Sequence, residues 1–263
     1  VDTGVYNLST NITIGADDSG VTIQGPTNAG RHAVLDRGNT SSGSYVIELG
    51  GADDVTIDHL SITGGYVGVY GANGVSNQRV TVSNSMIFDN QQHGIQLQRD
   101  NDNARIEGHR VLNQNWAGVR VTGNDSTVIN NHIYQNYYGI NADPSTFTGA
   151  VLVDSNRVHD NTSIGIDAVG PNVLITSNTV YGHIGNSTGI LLSQGSTAEN
   201  NTVFGNGYGI DTTNSGINQV LGNTVFQKSI RCIGLDRRSE AIGNSVYANA
   251  DGIVGYDRFS GYL

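Results

Sequence analysis

Arg120, Asn141, Asp143 and Asp167 fall in three successive units of a repeat, on one alternating face of the chain. Two carboxylates and an amide gathered in this way are oxygen donors of the kind that a hard Ca²⁺ ion takes, about six to eight at a time. Asn141, Asp143 and Asp167 are therefore the candidate metal ligands. Arg120, one unit away, could pair with a substrate carboxylate or take up a proton that the metal has made acidic. Arg120, Asp143 and Asp167 are the candidate catalytic groups, and the chemistry in view is proton abstraction next to a carboxylate. The plainer alternative is a solvated polar face, partly neutralised by an Arg120–Asp143 pair.

A second constellation lies on another strand of the same repeat. Its outward positions give Arg110, His132 and Arg157 in successive units. Beside them run Tyr134, His159, Tyr181, Phe204, Phe226 and Tyr247. Aromatic rings stack on sugar faces, and neighbouring Arg and His groups hold acidic substituents. Arg110, His132, Tyr134, Arg157 and His159 are thus candidate substrate-binding residues. Like rings in register also stabilise a sheet without any ligand. Tyr138 joins the binding candidates, because with Trp116 and Tyr137 it lies near the turns between the two faces. Arg231, Asp236, Arg237 and Arg238 form a last charged cluster, read as an interface.

The elements that position these groups are short strands. The motif Asn-x-(Val/Ile)-(Tyr/Phe)-x-Asn, followed by Gly-(Ile/Val), recurs in NHIYQNYYGI (131–140), NTVFGNGYGI (201–210) and NSVYANADGI (244–253). Its first slot falls at Asn84, His109, Asn131, Asn156, Asn178, Asn201, Asn223 and Asn244, a period of roughly 22 residues that signals stacked identical units. Each unit holds three alternating runs of three to five residues, too short for helices. The reading is an all-β parallel β-helix of about ten coils with three short strands per coil. Ile95, Val119, Ile140, Ile166, Ile190 and Ile210 stack inside it. The Asn slot turns inward as an amide ladder that satisfies buried backbone groups, and His109 substitutes as a hydrogen bonder.

Composition agrees with one elongated domain over 1–263. There are 36 Gly and 3 Pro, and charged residues make up 14%, which suits many tight turns and a neutral polar surface. The net charge of −10 argues against nucleic acid, which needs basic surface. No apolar run approaches the ~18 residues of a membrane span. The single cysteine, Cys232, reads as a buried reduced thiol. The opening VDTGVYNLST is not a signal peptide, and GIVGYDRFSGYL ends without an evident cap, so the chain is read as part of a longer one. The longest candidate loops, 70–79 and 141–150, are modest.

The Asn-x-Val-Tyr-x-Asn…Gly-Ile spacing resembles the repeats of the pectate-lyase-like superfamily, over nearly the whole chain. That resemblance implies a right-handed helix and a polysaccharide partner bound on the outward face of the Gly-Ile strand. The Arg120/Asn141/Asp143/Asp167 group is similar in outline to calcium-dependent lyases of that superfamily. Tyr208-Gly-Ile-Asp211 resembles the first four residues of the mannuronan C5-epimerase motif Tyr-Gly-aromatic-Asp-Pro-His, which implies a catalytic Asp211. Here Ile210 replaces the aromatic, and Thr212 and Thr213 replace Pro-His.

Two functions stay open at this level. One is a secreted or surface enzyme acting on an acidic, uronate-containing polysaccharide as a lyase or C5-epimerase. The other is a non-catalytic glycan-binding or structural rod segment of a large surface protein. Both imply a monomeric extracellular chain.

Overall fold

The computed structural model describes residues 1–144, 149–183, 185–213, 216–228 and 230–255. Residues 145–148, inside the loop read at 141–150, and residues 256–263, within the segment read as lacking a cap, lie outside the described residues. Three parallel sheets of eleven, eleven and ten strands wind the chain into a right-handed β-helix. Each strand pairs with the strand three elements on. Among the described residues the one helical piece is a 3-10 turn at Ala16–Asp18.

Sheet 1 carries the strands after the Asn slot, such as His132–Tyr134. Sheet 2 carries the Gly-Ile strands, such as Tyr138–Ala142. Sheet 3 carries the strands before the slot, such as Val151–Asp154. Alternation sends one side chain in and the next out. The inward column of sheet 2, Ile95, Val119, Ile140, Ile166, Ile190, Ile210 and Ile233, is wholly buried. So is Val111, Ile133, Val158, Val180, Val203 and Val225 of sheet 1.

The glycine before the inward residue on the rungs from Val69 to Ile210 has a steric cause. A Cβ on Gly139 would lie 2.4 Å from the carbonyl oxygen of Gly165 on the next rung, and one on Gly165 would lie 2.5 Å from that of Gly189. No side chain fits such an approach, so these rungs must be glycine, whereas Val46 and Cys232 take the same place nearer the two ends of the column.

The amide ladder forms as the repeat predicts. Asn156 Oδ1 accepts the Asn131 backbone N–H at 2.9 Å, while its Nδ2 donates to the carbonyls of Val128 and Asp154. Each such bond contributes on the order of 1 kcal/mol, and leaving the buried partners unpaired costs more. His109 reproduces the pattern: Nε2 reaches the Val82 carbonyl at 2.8 Å and Nδ1 accepts the Ser85 N–H at 3.1 Å.

One slot differs from the sequence reading. The ladder member before the strand Met86–Phe88 is Ser85, not Asn84. Ser85 Oγ accepts the Leu60 N–H, and Met86 pairs with Arg110. Asn84 sits one residue earlier at positive φ and is exposed. A second ladder runs through Asn90, Gln114, Asn136 and Asn161, where Asn136 Oδ1 accepts the Gln114 N–H at 3.0 Å. Two ladders therefore bracket sheet 1 at its two turns.

Candidate functional site

Register places the sheet 2 candidates in one outward column. Gln96 pairs with Arg120, Arg120 with Asn141, Asn141 with Asp167, Asp167 with Leu191, and Leu191 with Asp211. Asp143 follows the strand that carries Asn141, at its exit. Its backbone N–H donates to the Val121 carbonyl at 2.9 Å, which holds the side chain beside the rung of Arg120.

An open cleft of about 470 Å³ adjoins this column. Arg120 and Asp143 line it with Gln98, Arg99, Thr122 and Gln194. Asn141 and Asp167 lie beside it on the same sheet. Arg120 Nε is buried without a hydrogen-bond partner, an arrangement rare for a guanidinium unless a ligand completes it.

The two carboxylates are both held above their ordinary range. Burial raises Asp143, and the charge of Arg120 opposes it. Burial raises Asp167 to about 6, Asn141 opposes through its hydrogen bond, and the charge of Asp143 adds to the rise. Asp167 is thus ionised at neutral pH yet basic enough to accept a proton. As metal ligands, Asn141, Asp143 and Asp167 offer two carboxylates and an amide whose Nδ2 is turned to Asp167 at 2.9 Å. Among the described residues no three His, Cys, Asp or Glu side chains gather. A Ca²⁺ ion here would need most of its oxygens from water and substrate.

Tyr138 opens the strand that carries Asn141, so it belongs to this face and not to the Arg110 group. Burial raises its phenol, which hydrogen-bonds Ser163, and Asp167 is close enough to raise it further. The phenol therefore keeps its proton at neutral pH.

Asp211 sits farther along the same column and is engaged. Arg231 Nε and Nη2 donate to its two oxygens at 3.0 and 2.8 Å. The guanidinium also lies 4.3 Å from the centroid of Tyr208. Register explains the trio, because Tyr208 pairs with Arg231 across one rung. The sequence reading grouped Arg231 with Asp236, Arg237 and Arg238; instead Arg231 faces outward on sheet 2. Asp236 caps its own turn, accepting the N–H groups of Arg238 and Ser239. The pairing of Tyr208 with Arg231 was missed, although equal offsets from the inward Ile210 and Ile233 are the signal that finds it.

The substrate-binding candidates Arg110, His132, Tyr134, Arg157 and His159 meet on sheet 1. Tyr134, His159, Tyr181, Phe204, Phe226 and Tyr247 stack face to face at 4.7–5.1 Å, within 10° of parallel. Arg110 donates to the Tyr134 hydroxyl at 2.6 Å, and Arg157 Nε to that of Tyr181 at 2.8 Å. His132 and His159 contact through their Nε2 atoms. The ring faces within the ladder are taken by one another, so a sugar would meet their edges.

The right handed beta helix region model matches residues 3–148, 76–225 and 117–260. Among solved structures, the A-module of a mannuronan C-5 epimerase from Azotobacter vinelandii superposes with TM-score 0.76 at 16% identity, covering 98% of this chain and 88% of that one. A pectate lyase gives 0.65 at 16% identity, covering 92% and 69%. An alginate lyase from Paenibacillus sp. gives 0.57 at 15% identity, covering 96% and 89%. At such identities the likeness is one of fold. No curated protein sequence matches the chain.

Proposed function

The chain belongs to the right-handed beta helix family, and we propose that it acts on a uronate-containing polysaccharide by removing the proton at C5, as a lyase or C5-epimerase. One observation carries this reading. Arg120, with an unpartnered buried Nε, lines an open cleft one rung from an Asn141–Asp167 pair in which Asp167 is held to about 6. The epimerases and lyases among the structures of like fold support it.

Arg120 pairs with the uronate carboxylate and stabilises the charge that builds on it when the C5–H bond breaks. Asp167 accepts the C5 proton, and Asn141 keeps its carboxylate aimed. The Tyr138 phenol is the proton donor. It returns a proton to C5 from the other side in an epimerase, or delivers one to the departing O4 as the C4–C5 double bond forms in a lyase. With Asp167 serving as the base, Asp143 and the side-chain oxygen of Asn141 are the groups that would hold Ca²⁺, which when bound would further neutralise the uronate. The polymer cannot cross a membrane, so we place the protein outside the cytoplasm, as a secreted or surface monomer.

The test is incubation with alginate, pectate and glycosaminoglycans, with and without Ca²⁺, following unsaturated product by absorbance and epimerisation by NMR. Turnover that Asp167→Ala and Asp143→Ala abolish, with circular dichroism unchanged, is expected. Turnover that survives both substitutions contradicts the site.

A further inference from the structure

Trp116 and Tyr137 are neighbouring aromatic side chains that keep much of their surface in water. Trp116 is 44% exposed and Tyr137 is 39% exposed. Their rings lie 5.1 Å apart at 24°, and Tyr138 stands edge-on to both at 5.4 and 4.8 Å. The pair is held in place. The Trp116 N–H donates to the Gln92 carbonyl at 2.9 Å, and the Tyr137 and Tyr138 N–H groups both donate to the Trp116 carbonyl at 3.0 Å.

Their position ties them to the outward column of sheet 2. Trp116 directly precedes Ala117–Val121, the strand of Arg120, and Tyr137 directly precedes Tyr138–Ala142, the strand of Asn141. Strand rise puts the ring pair about 13 Å along the strand from Arg120 and Asn141. The rungs on either side present Gln91 and Gln92, then Thr162 and Ser163. The two rings cover one another on one face only, and the apolar surface they leave exposed, rimmed by amides and hydroxyls, suits a pyranose ring, whose C–H face stacks while its hydroxyls bond at the edge.

We propose that Trp116 and Tyr137 form a stacking subsite for a sugar residue of the polymer, more than one ring removed from the residue at Arg120 and Asp167. The subsite rests on the proposed polysaccharide function for the identity of its ligand, but its occupancy is read independently. Trp116 is the single tryptophan of the chain, so intrinsic emission reports this surface alone.

Titrate the intact protein with alginate and pectate tetrasaccharides while following tryptophan emission, and measure turnover on the same polymers with Trp116→Ala and Tyr137→Ala. A saturable change with one tetrasaccharide is expected, weakened about threefold to tenfold in Tyr137→Ala. Trp116→Ala should raise KM more than it lowers kcat. If a polymer is turned over but its tetrasaccharide leaves the emission unchanged and both variants keep their KM, the subsite is overturned and the proposed function survives. If nothing is turned over but the emission still saturates, the subsite stands without the enzyme. Absence of both signals overturns the subsite.

Discussion

Asn141 donates its side-chain amide to Asp167 at 2.9 Å across one rung of sheet 2. This bond aims a carboxylate whose burial would otherwise leave it protonated still higher on the pH scale. It joins two residues 26 positions apart in sequence that the coil register makes direct neighbours.

Asp167→Asn removes the proposed base while preserving the shape of the pair. Turnover should fall by about 10²–10⁴-fold, and the wild-type rate should rise with pH through about 6 as Asp167 ionises. Stability should move the other way. Because the folded pKa lies above the unfolded one, the contribution of Asp167 is fully present below about 3.8 and is lost as pH rises through about 6. The variant should therefore match wild type near pH 4 and exceed it at pH 8 by on the order of 1–2 kcal/mol, allowing for solvent screening. Urea melts at the two pH values check this.

Arg120→Gln should lower kcat/KM by about 10²–10³-fold, because it deletes the charge facing the developing carboxylate dianion. It should also let the Asp143 carboxyl titrate higher, since Arg120 is what opposes its rise. NMR of Asp143 through a pH series checks the second effect without any substrate.

His109→Asn tests the ladder. Burial lowers His109 to about 4, and it lowers His93 to about 3 and His183 to about 4. An imidazole depressed in the fold leaves stability intact above about 6.5 and withdraws it as pH falls towards 4, because the unfolded chain binds the proton first. Asparagine, used at the next rung by Asn131, carries no such liability. The variant should lose less stability between pH 6.5 and 4 than wild type, by on the order of 2–3 kcal/mol. Thermal melts across that window decide it.

Phe204→Ala should cost about 1–3 kcal/mol, because it removes a half-buried ring and opens a gap between Tyr181 and Phe226 in the ring stack. If the sheet 1 ladder is structural, kcat and KM below the melting temperature should not change. A large KM rise would instead assign sugar binding to that stripe.

The fold was legible because each rung repeats the same few requirements. An inward Ile or Val, at most rungs a Gly where a Cβ would meet the next backbone, and an amide bonding the adjacent rung leave a periodic trace even without overall similarity. The slip from Asn84 to Ser85 shows where this trace fails. Two adjacent polar residues could each fill the slot, and Ser85 Oγ does the work of an amide. The site was legible only as far as rung register carried it. Arg120, Asn141 and Asp167 share an offset and were found together. Arg231 shares the offset of Tyr208, but it lay among other charges beyond a loop, and its bidentate bond to Asp211 emerges only from pairing. Ring exposure was not legible at all, since Tyr134 and Trp116 read alike until their stacking partners are known.

The most direct test of C5 proton abstraction is NMR of alginate, pectate and glycosaminoglycan substrates incubated with the protein in D₂O. The account predicts that with one polymer the H5 signal is lost to solvent deuterium, alongside inverted residues or a C4–C5 double bond, and that Asp167→Asn stops the loss. Retention of every H5 signal by all the polymers, with folded protein and with or without Ca²⁺, would contradict it.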